Sequence, residues 1–155
     1  MIRGKFLNGC LDDLSSCFEI RRKVFIEEQN ISEEDEFDGL DDRCGHYIVF
    51  NEEDQPVSTG RLIFLGDKTY QIGRVSTLKE ERHKGYGEFL MLSMIEKARS
   101  IGAEKLVILA QVPVVPFYEK CGFVLESKDI IMDTGIEHYK MIYDFSSIRK
   151  CCSCH

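Results

Sequence analysis

The chain has 155 residues, of which 43% are hydrophobic and 30% are charged, values typical of one ordinary globular domain with a sizeable core. Its formal net charge of −7 argues against unaided binding to nucleic acid, which needs clustered lysine and arginine, and suits cationic ligands such as amines. No apolar run approaches the roughly 20 residues that a bilayer requires, and the polar N-terminus lacks a secretory signal. We therefore expect a cytoplasmic protein without nucleic-acid or membrane partners, whose seven cysteines are reduced.

The N-terminal half opens with a weak strand over residues 1–7 and a helix over residues 11–29, in which apolar residues recur at helical spacing. Residues 33–42 form an acidic loop that interrupts this pattern, and we expect it to be solvated, or alternatively to act as a lid that attracts a cationic amine. Alternating apolar residues then predict three strands, at 46–50, 57–65 and 70–78.

The C-terminal half begins with a strongly apolar helix that ends near residue 100, where Gly102 suits the position just past a helix end. Residues 105–110 read as a strand buried on both faces. A short helix follows near residues 113–121, and its prolines predict an irregular or late start because proline is tolerated only in the first turn. A strand from residue 123 and a last strand over 138–145 complete the order.

This order of elements, with strands clustered early and helices inserted later, predicts an α/β (α+β) protein with a mixed sheet covered by helices on both faces. No internal repeat and no linker rich in proline, glycine or serine divides the chain. We therefore expect a single domain over residues 1–147, followed by a cysteine-rich tail over residues 148–155.

The sharpest local signal is the run Arg82-His83-Lys84-Gly85-Tyr86-Gly87, which lies between a predicted strand and a predicted helix. The first N–H groups of a helix have no internal partner, and the peptide dipoles place partial positive charge there. Glycine lets a ligand approach the backbone closely, so the turn suits an anionic phosphate group. A dinucleotide fingerprint fails because Leu90 stands where the third glycine belongs, and a Walker loop fails because the lysine precedes the glycine.

Together with the strand before it, this turn resembles the acetyl-CoA signature of the GNAT acetyltransferases, Arg/Gln-x-x-Gly-x-Gly/Ala, matched by Arg82, Gly85 and Gly87. The segment Phe117-Tyr-Glu-Lys-Cys-Gly-Phe123 resembles the second block of that family. Further short matches are similar to the small bacterial ElaA-like branch, and the likeness runs from about residue 2 to residue 145.

The resemblance implies the GNAT fold, a mixed sheet of six or seven strands whose fourth and fifth strands splay apart around acetyl-CoA. It also implies roles for particular residues. Backbone groups of Val75 and Thr77 would hold the pantetheine arm, and the N–H of Val75 would polarise the thioester carbonyl. Tyr118 would protonate the departing thiolate, and Gln111 stands where many members have asparagine. The pyrophosphate would lie on the backbone of Arg82, His83, Lys84, Gly85, Tyr86 and Gly87.

The general base is open between Glu28, His138 and water. Glu28 follows Arg21 and Phe25 at helical steps, so it should project from the core face, where apolar surroundings raise the pKa of a carboxylate. An ion pair with Arg21 or Arg74 is the alternative for Glu28. His138 titrates in a useful range and starts the last strand.

The functional hypothesis is an N-acetyltransferase in which a primary amine of a small molecule or peptide attacks acetyl-CoA directly in a ternary complex. The alternative is a non-catalytic acyl-CoA-binding regulatory module, and a homodimer is open in either case. We predict no metal site, since the tail Cys151-Cys-Ser-Cys-His155 has soft ligands but no partner cluster.

Overall fold

The computed structural model describes residues 2–146, which form a mixed α/β structure with two compact units. The first unit comprises residues 2–63 and 72–94, and the second comprises residues 64–71 and 95–146. The predicted cysteine-rich tail, including Cys151–His155, lies outside the described residues. The single domain predicted over residues 1–147 stays a prediction.

Eight strands occur within the described residues: β1 (Arg3–Asn8), β2 (Gly45–Phe50), β3 (Pro56–Gly66), β4 (Thr69–Thr77), β5 (Lys105–Gln111), β6 (Val124–Leu125), β7 (Ile131–Asp133) and β8 (Ile136–Asp144). The α-helices of the same residues are α1 (Ser15–Arg21), α2 (Glu33–Glu36), α3 (Tyr86–Ser100) and α4 (Val115–Lys120). Helix α1 continues as a π-helix over Arg22–Glu28, and short 3-10 turns cover Asp41–Arg43, Lys79–Glu81 and Val112–Val114.

In the first unit, β1 to β4 are neighbours in chain order. Strand β1 pairs antiparallel with β2 from Arg3 opposite Phe50 to Asn8 opposite Gly45, and β2 pairs antiparallel with β3. The middle of β3 is continuously buried, as expected of a strand covered on both faces. Helix α3 lies so close to β3 that a Cβ on Gly60 would be 2.6 Å from the Met94 sulfur, so only glycine fits there.

In the second unit, β5 pairs antiparallel with β8 along seven residues, from Lys105 opposite Asp144 to Gln111 opposite His138. The short strands β6 and β7 also pair antiparallel with β8. Three of the seven residues of β5 lie consecutively in the core, as predicted for a strand buried on both faces.

Most of the predicted elements are present, with ends shifted by a few residues. The late start near Pro113 is confirmed, because a 3-10 turn precedes α4 and Pro116 lies in the first turn of α4. The sequence reading missed β7, since its three exposed residues carry no alternation. None of the helices in residues 2–146 is long and apolar enough to span a membrane.

The acidic segment is the main correction to the predicted fold. It was expected to be a solvated loop, but it contains α2 and a 3-10 turn, and both Glu36 and Asp41 are buried. Ser32 starts α2 by accepting a hydrogen bond from the Asp35 N–H at 3.1 Å, which is ordinary N-cap chemistry. The burial has an electrostatic cause, because arginines of the first unit pair with these carboxylates.

Candidate functional site

The turn between β4 and α3 in the first unit has the backbone that its glycines suggested. Arg82 is extended, and both His83 (φ 64°) and Gly85 (φ 89°) lie in the left-handed region. Phe89 donates its N–H to the Gly85 carbonyl at 3.0 Å, so Gly85 is the residue from which α3 starts. A Cβ on Gly85 would meet nothing within 4 Å, which shows open space directly above the turn.

The backbone N–H groups of residues 83–88 form no hydrogen bond with any described part of the chain. These amides lie at the start of a fifteen-residue helix, where the macrodipole favours negative charge. Residues 83–85 are exposed. The turn therefore offers a set of free donors of the kind that binds phosphate groups.

The basic side chains of the turn are already paired with acids. Arg82 donates to both Glu28 carboxylate oxygens at 2.7 Å, and its Nε donates to the Thr77 carbonyl at 3.1 Å. Lys84 lies 3.2 Å from Glu81. The guanidinium of Arg82 thus ties the turn to the end of β4 and to the end of the π-helix, and the backbone amides remain the free donors.

Two expectations about Glu28 were wrong. Its ion-pair partner is Arg82 rather than Arg21 or Arg74, and the hydrogen bond from Arg82 lowers the pKa of Glu28 instead of burial raising it. The cause lies in the helix. Residues 22–28 are π-helical, with Gln29 N–H bonded to the Val24 carbonyl, so residues seven apart no longer share one face. Arg21 points into the core while Glu28 reaches the turn.

The end of β4 holds the backbone groups predicted to bind the pantetheine arm. Arg74 has φ 53°, a left-handed conformation inside a strand, immediately before Val75. Ser58 donates its hydroxyl to the Ser76 carbonyl at 2.9 Å and contacts the Thr77 hydroxyl at 2.8 Å. Side chains of the neighbouring strand therefore fix the last residues of β4.

In the second unit, Tyr118 of α4 is buried in a cluster of aromatic rings, with Phe117 at 5.2 Å and Phe123 at 6.2 Å between centroids. Burial raises the pKa of Tyr118 well above its ordinary value. Its hydroxyl forms no hydrogen bond within residues 2–146, so the backbone does not hold it. Gly122 of the same motif has φ 106°, and a Cβ there would lie 2.8 Å from Tyr143, which explains why glycine is required.

The other predicted residues of the second unit occupy β5 and β8. Gln111 ends β5 and is half-buried. His138 is buried, and its Nδ1 lies 2.8 Å from the Ile136 carbonyl. Since a carbonyl can only accept, Nδ1 carries the proton, and in the neutral ring Nε2 is left as a proton acceptor. His138 therefore has the tautomer that a general base needs.

Sequence reasoning missed a group of six charged residues in the first unit, which we call the arginine network: Arg21, Arg61, Arg74, Glu36, Asp38 and Asp41. Arg21 is 1% exposed and reaches Glu36 and Asp41, each at 2.7 Å. Arg61 forms two hydrogen bonds to Asp38, at 2.9 and 3.0 Å. An arginine at a helical core position, as Arg21 is, was the available signal, because an arginine is rarely buried without a paired acid.

Burial raises the pKa of Glu36, although Arg21 opposes the shift. Burial is also the largest single effect on Asp38, but the hydrogen bonds from Arg61 and from the Leu40 N–H, together with the charges of Arg61 and Arg74, outweigh it and lower that pKa to about 2. In Asp41 burial is likewise outweighed by the hydrogen bonds and charges of Arg21 and Arg61 together, so its pKa is lowered. The carboxylates at 38 and 41 are therefore held ionised by the arginines beside them.

Comparison with known proteins gives a consistent result. Residues 11–123 match the sequence profile of the Acetyltransferase (GNAT) family. The uncharacterized N-acetyltransferase YjcF of Bacillus subtilis is 34% identical over 133 residues, which cover 86% of this chain and 94% of that relative.

Two solved structures share the fold. Escherichia coli ElaA has a TM-score of 0.80 at 24% identity, with 93% of this chain and 100% of that chain covered. A Bacillus subtilis acetyltransferase solved in complex with CoA has a TM-score of 0.70 at 18% identity, covering 94% and 99%. The predicted fold class and the resemblance to the GNAT family are confirmed, and ElaA shares the fold.

Proposed function

Because the chain belongs to the GNAT acetyltransferase family and is an acyltransferase, we propose that it transfers the acetyl group of acetyl-CoA to a primary amine. The observation that carries the proposal is the row of unpaired backbone amides at residues 83–88, beneath open space at Gly85. A diphosphate is the ligand chemistry that such a helix start favours. The complex of the Bacillus subtilis neighbour with CoA supports this choice.

We assign the pyrophosphate of CoA to the backbone of Arg82, His83, Lys84, Gly85, Tyr86 and Gly87. The Arg82 side chain is bound to Glu28 and Thr77, so its part is to fix the turn. The pantetheine arm belongs with Val75, Thr77 and Gln111. The Thr77 carbonyl accepts a hydrogen bond from Arg82, so we assign the N–H of Thr77 to this role.

The reaction we propose is a direct attack in a ternary complex. The amine nitrogen forms a bond to the acetyl carbon, the N–H of Val75 stabilises the oxyanion, and the carbon–sulfur bond breaks. Tyr118 donates its proton to the thiolate and takes one back from solvent after the reaction. A tyrosine hydroxyl is in the donor form at neutral pH, and burial, which raises its pKa, makes it a weaker acid than an exposed tyrosine. The amine proton leaves to water, to His138, or to Glu28 once its pair with Arg82 opens.

Titration with CoA tests the cofactor site, using Gly85→Ala and Gly102→Ala as a matched pair. Both glycines have φ near 90°, and in both cases an added Cβ meets nothing within 4 Å of the protein. Both variants should therefore lose similar thermal stability, because alanine is strained there. Only Gly85→Ala should weaken CoA binding, by about tenfold or more, since its methyl group enters the space assigned to the diphosphate. Equal affinities of the two variants, or no binding by the wild type, would refute the assignment.

Tyr118→Phe tests the proton donor and separates an enzyme from a binding module. We expect kcat to fall by about 10²-fold while the Kd for CoA stays the same, as measured by thiol release and calorimetry. Tyr143→Phe is the control, because that ring lies in the same aromatic cluster, 5.5 Å from Phe123. A wild type that binds CoA but turns over none of a broad amine panel would favour the non-catalytic regulatory module.

The acceptor we propose is a small-molecule or peptide amine, for which a net charge of −7 is favourable. The same amine panel identifies it. A cytoplasmic location and a homodimer belong to the same proposal, and cell fractionation and light scattering test them.

A further inference from the structure

Arg74 has an unusual backbone for its position. It lies inside β4 with φ 53°, whereas strand residues have φ near −120°. Left-handed backbone is readily adopted by glycine and, less readily, by asparagine and aspartate, but it is unfavourable and uncommon for arginine. The glycine of this strand is the preceding residue, Gly73, and it has no positive φ. Something other than local preference therefore holds residue 74 in this conformation.

The contacts that hold residue 74 in this conformation come from the Arg74 side chain. Its Nε donates to the Glu36 carbonyl at 3.2 Å, and its Nη2 donates to the Asp35 carbonyl and to the Asp38 carboxylate, each at 3.2 Å. The Glu36 carboxylate lies 3.3 Å from Nε. A guanidinium bonded to three successive parts of one segment has little freedom, because its fork is planar and rigid.

That segment is itself fixed. Arg21 holds the Glu36 and Asp41 carboxylates at 2.7 Å, and Arg61 holds Asp38 with two hydrogen bonds. Both arginines are almost completely buried. The other five residues of the arginine network thus form a rigid anchor for the Arg74 side chain. A strained backbone conformation persists where many surrounding contacts fix it.

We propose that Arg74 is a positioning residue of the acyl-transfer site, whose attachment to residues 35–38 sets the direction of the Val75 N–H. A left-handed residue interrupts the alternation of a strand and turns the next amide away from its regular direction. This inference rests on the proposed function, in which the Val75 amide is the oxyanion donor. The acidic segment then serves the reaction through Arg74 without touching the substrate.

Three substitutions separate positioning from other roles. Arg74→Ala removes the contacts with residues 35–38, while its Cβ still disfavours left-handed backbone. The backbone should therefore relax towards extended geometry, and kcat should fall by about 10-fold to 10²-fold. Arg74→Gly and Arg74→Asn also remove the attachment, but both residues tolerate left-handed backbone. They should recover several-fold of the kcat lost in Arg74→Ala. The Kd for CoA should change much less than kcat in all three, since the diphosphate site assigned to the 82–87 turn is unchanged.

The backbone at residue 74 gives a readout that does not depend on turnover. NMR scalar couplings of the wild type should report left-handed φ, and those of Arg74→Ala should report extended backbone. Wild-type kcat in a folded Arg74→Ala, unchanged φ in that variant, or equally low kcat in Arg74→Gly and Arg74→Ala would each overturn the inference. Failure of the wild type to bind CoA would instead refute the proposed function. The couplings would still show whether the Arg74 side chain holds residue 74 in left-handed backbone.

Discussion

The 82–87 turn and the arginine network both belong to the first unit and both are rich in charge, but they satisfy their polar groups in opposite ways. In the network, guanidinium groups and carboxylates are buried or partly buried and are paired within the protein, although the buried Nε of Arg61 has no hydrogen-bond partner in the described residues. In the turn, the side chains are paired, but the backbone amides of residues 83–88 have no partner in the described residues. Charge alone therefore does not mark a binding site, whereas unsatisfied donors next to open space do.

This contrast predicts that substitutions in the network act mainly on stability, whereas those in the turn act mainly on ligand affinity. The largest effect should come from Glu36→Ala, which leaves Arg21 buried with one partner fewer. Breaking a buried pair costs about 3–5 kcal/mol, so the midpoint of chemical denaturation should fall strongly. Glu33→Ala is the matched control, because its pair with Arg22 is about half exposed and is worth at most about 1 kcal/mol. Similar losses in the two variants would show that the network is not a special element of stability.

A second, smaller effect should appear in the acid stability of the network. The pKa of Asp38 in the folded protein, about 2, lies below its ordinary value of 3.8. Its contribution to stability is therefore present above about pH 4 and is lost as the pH falls towards 2. The lowered pKa of Asp41 acts in the same direction. The raised pKa of Glu36 has the opposite effect on stability, but it acts at higher pH, from its ordinary value of 4.5 upwards. Because Asp38 is partly exposed, we expect only about 1 kcal/mol from it. Asp38→Asn should flatten the loss of stability between pH 4 and pH 2, and an unchanged slope would contradict this account.

The smallest effect should come from Glu28→Gln, which weakens the contact between Arg82 and the π-helix. Each side chain of this pair is about one-third exposed, so the pair is worth at most about 1 kcal/mol. We expect the Kd for CoA to rise a few-fold and kcat to change little. A loss of kcat of about 10²-fold, with a shifted acidic limb in the pH profile, would instead establish Glu28 as the general base.

The order of elements could be predicted because each one has a local cause. The apolar run of β5, and Gly102 just past the end of α3, can each be recognised from a few neighbouring residues of the sequence. The 82–87 turn was also visible, since its glycines and its place between a strand and a helix are local features. Strand β7 was missed because it is short and exposed, and it is defined only by its pairing with β8.

The contacts that were missed all depend on residues far apart in the chain. Arg21 pairs with residues 15 and 20 positions later, and Arg61 reaches back 23 positions to Asp38. No periodicity reveals such pairs. The acidic segment looked solvated because its sequence shows the carboxylates and not the arginines that cover them.

The π-helix over Arg22–Glu28 has a consequence for how this protein tolerates insertion and deletion. The wider π-helical turn changes the direction in which successive side chains point, so that in one continuous helix Arg21 is directed to the interior and Glu28 to the 82–87 turn. Deleting one residue from this segment would restore the ordinary α-helical repeat. Glu28 would then point away from Arg82, and the 82–87 turn would lose this ion pair even though no residue of the turn itself had changed.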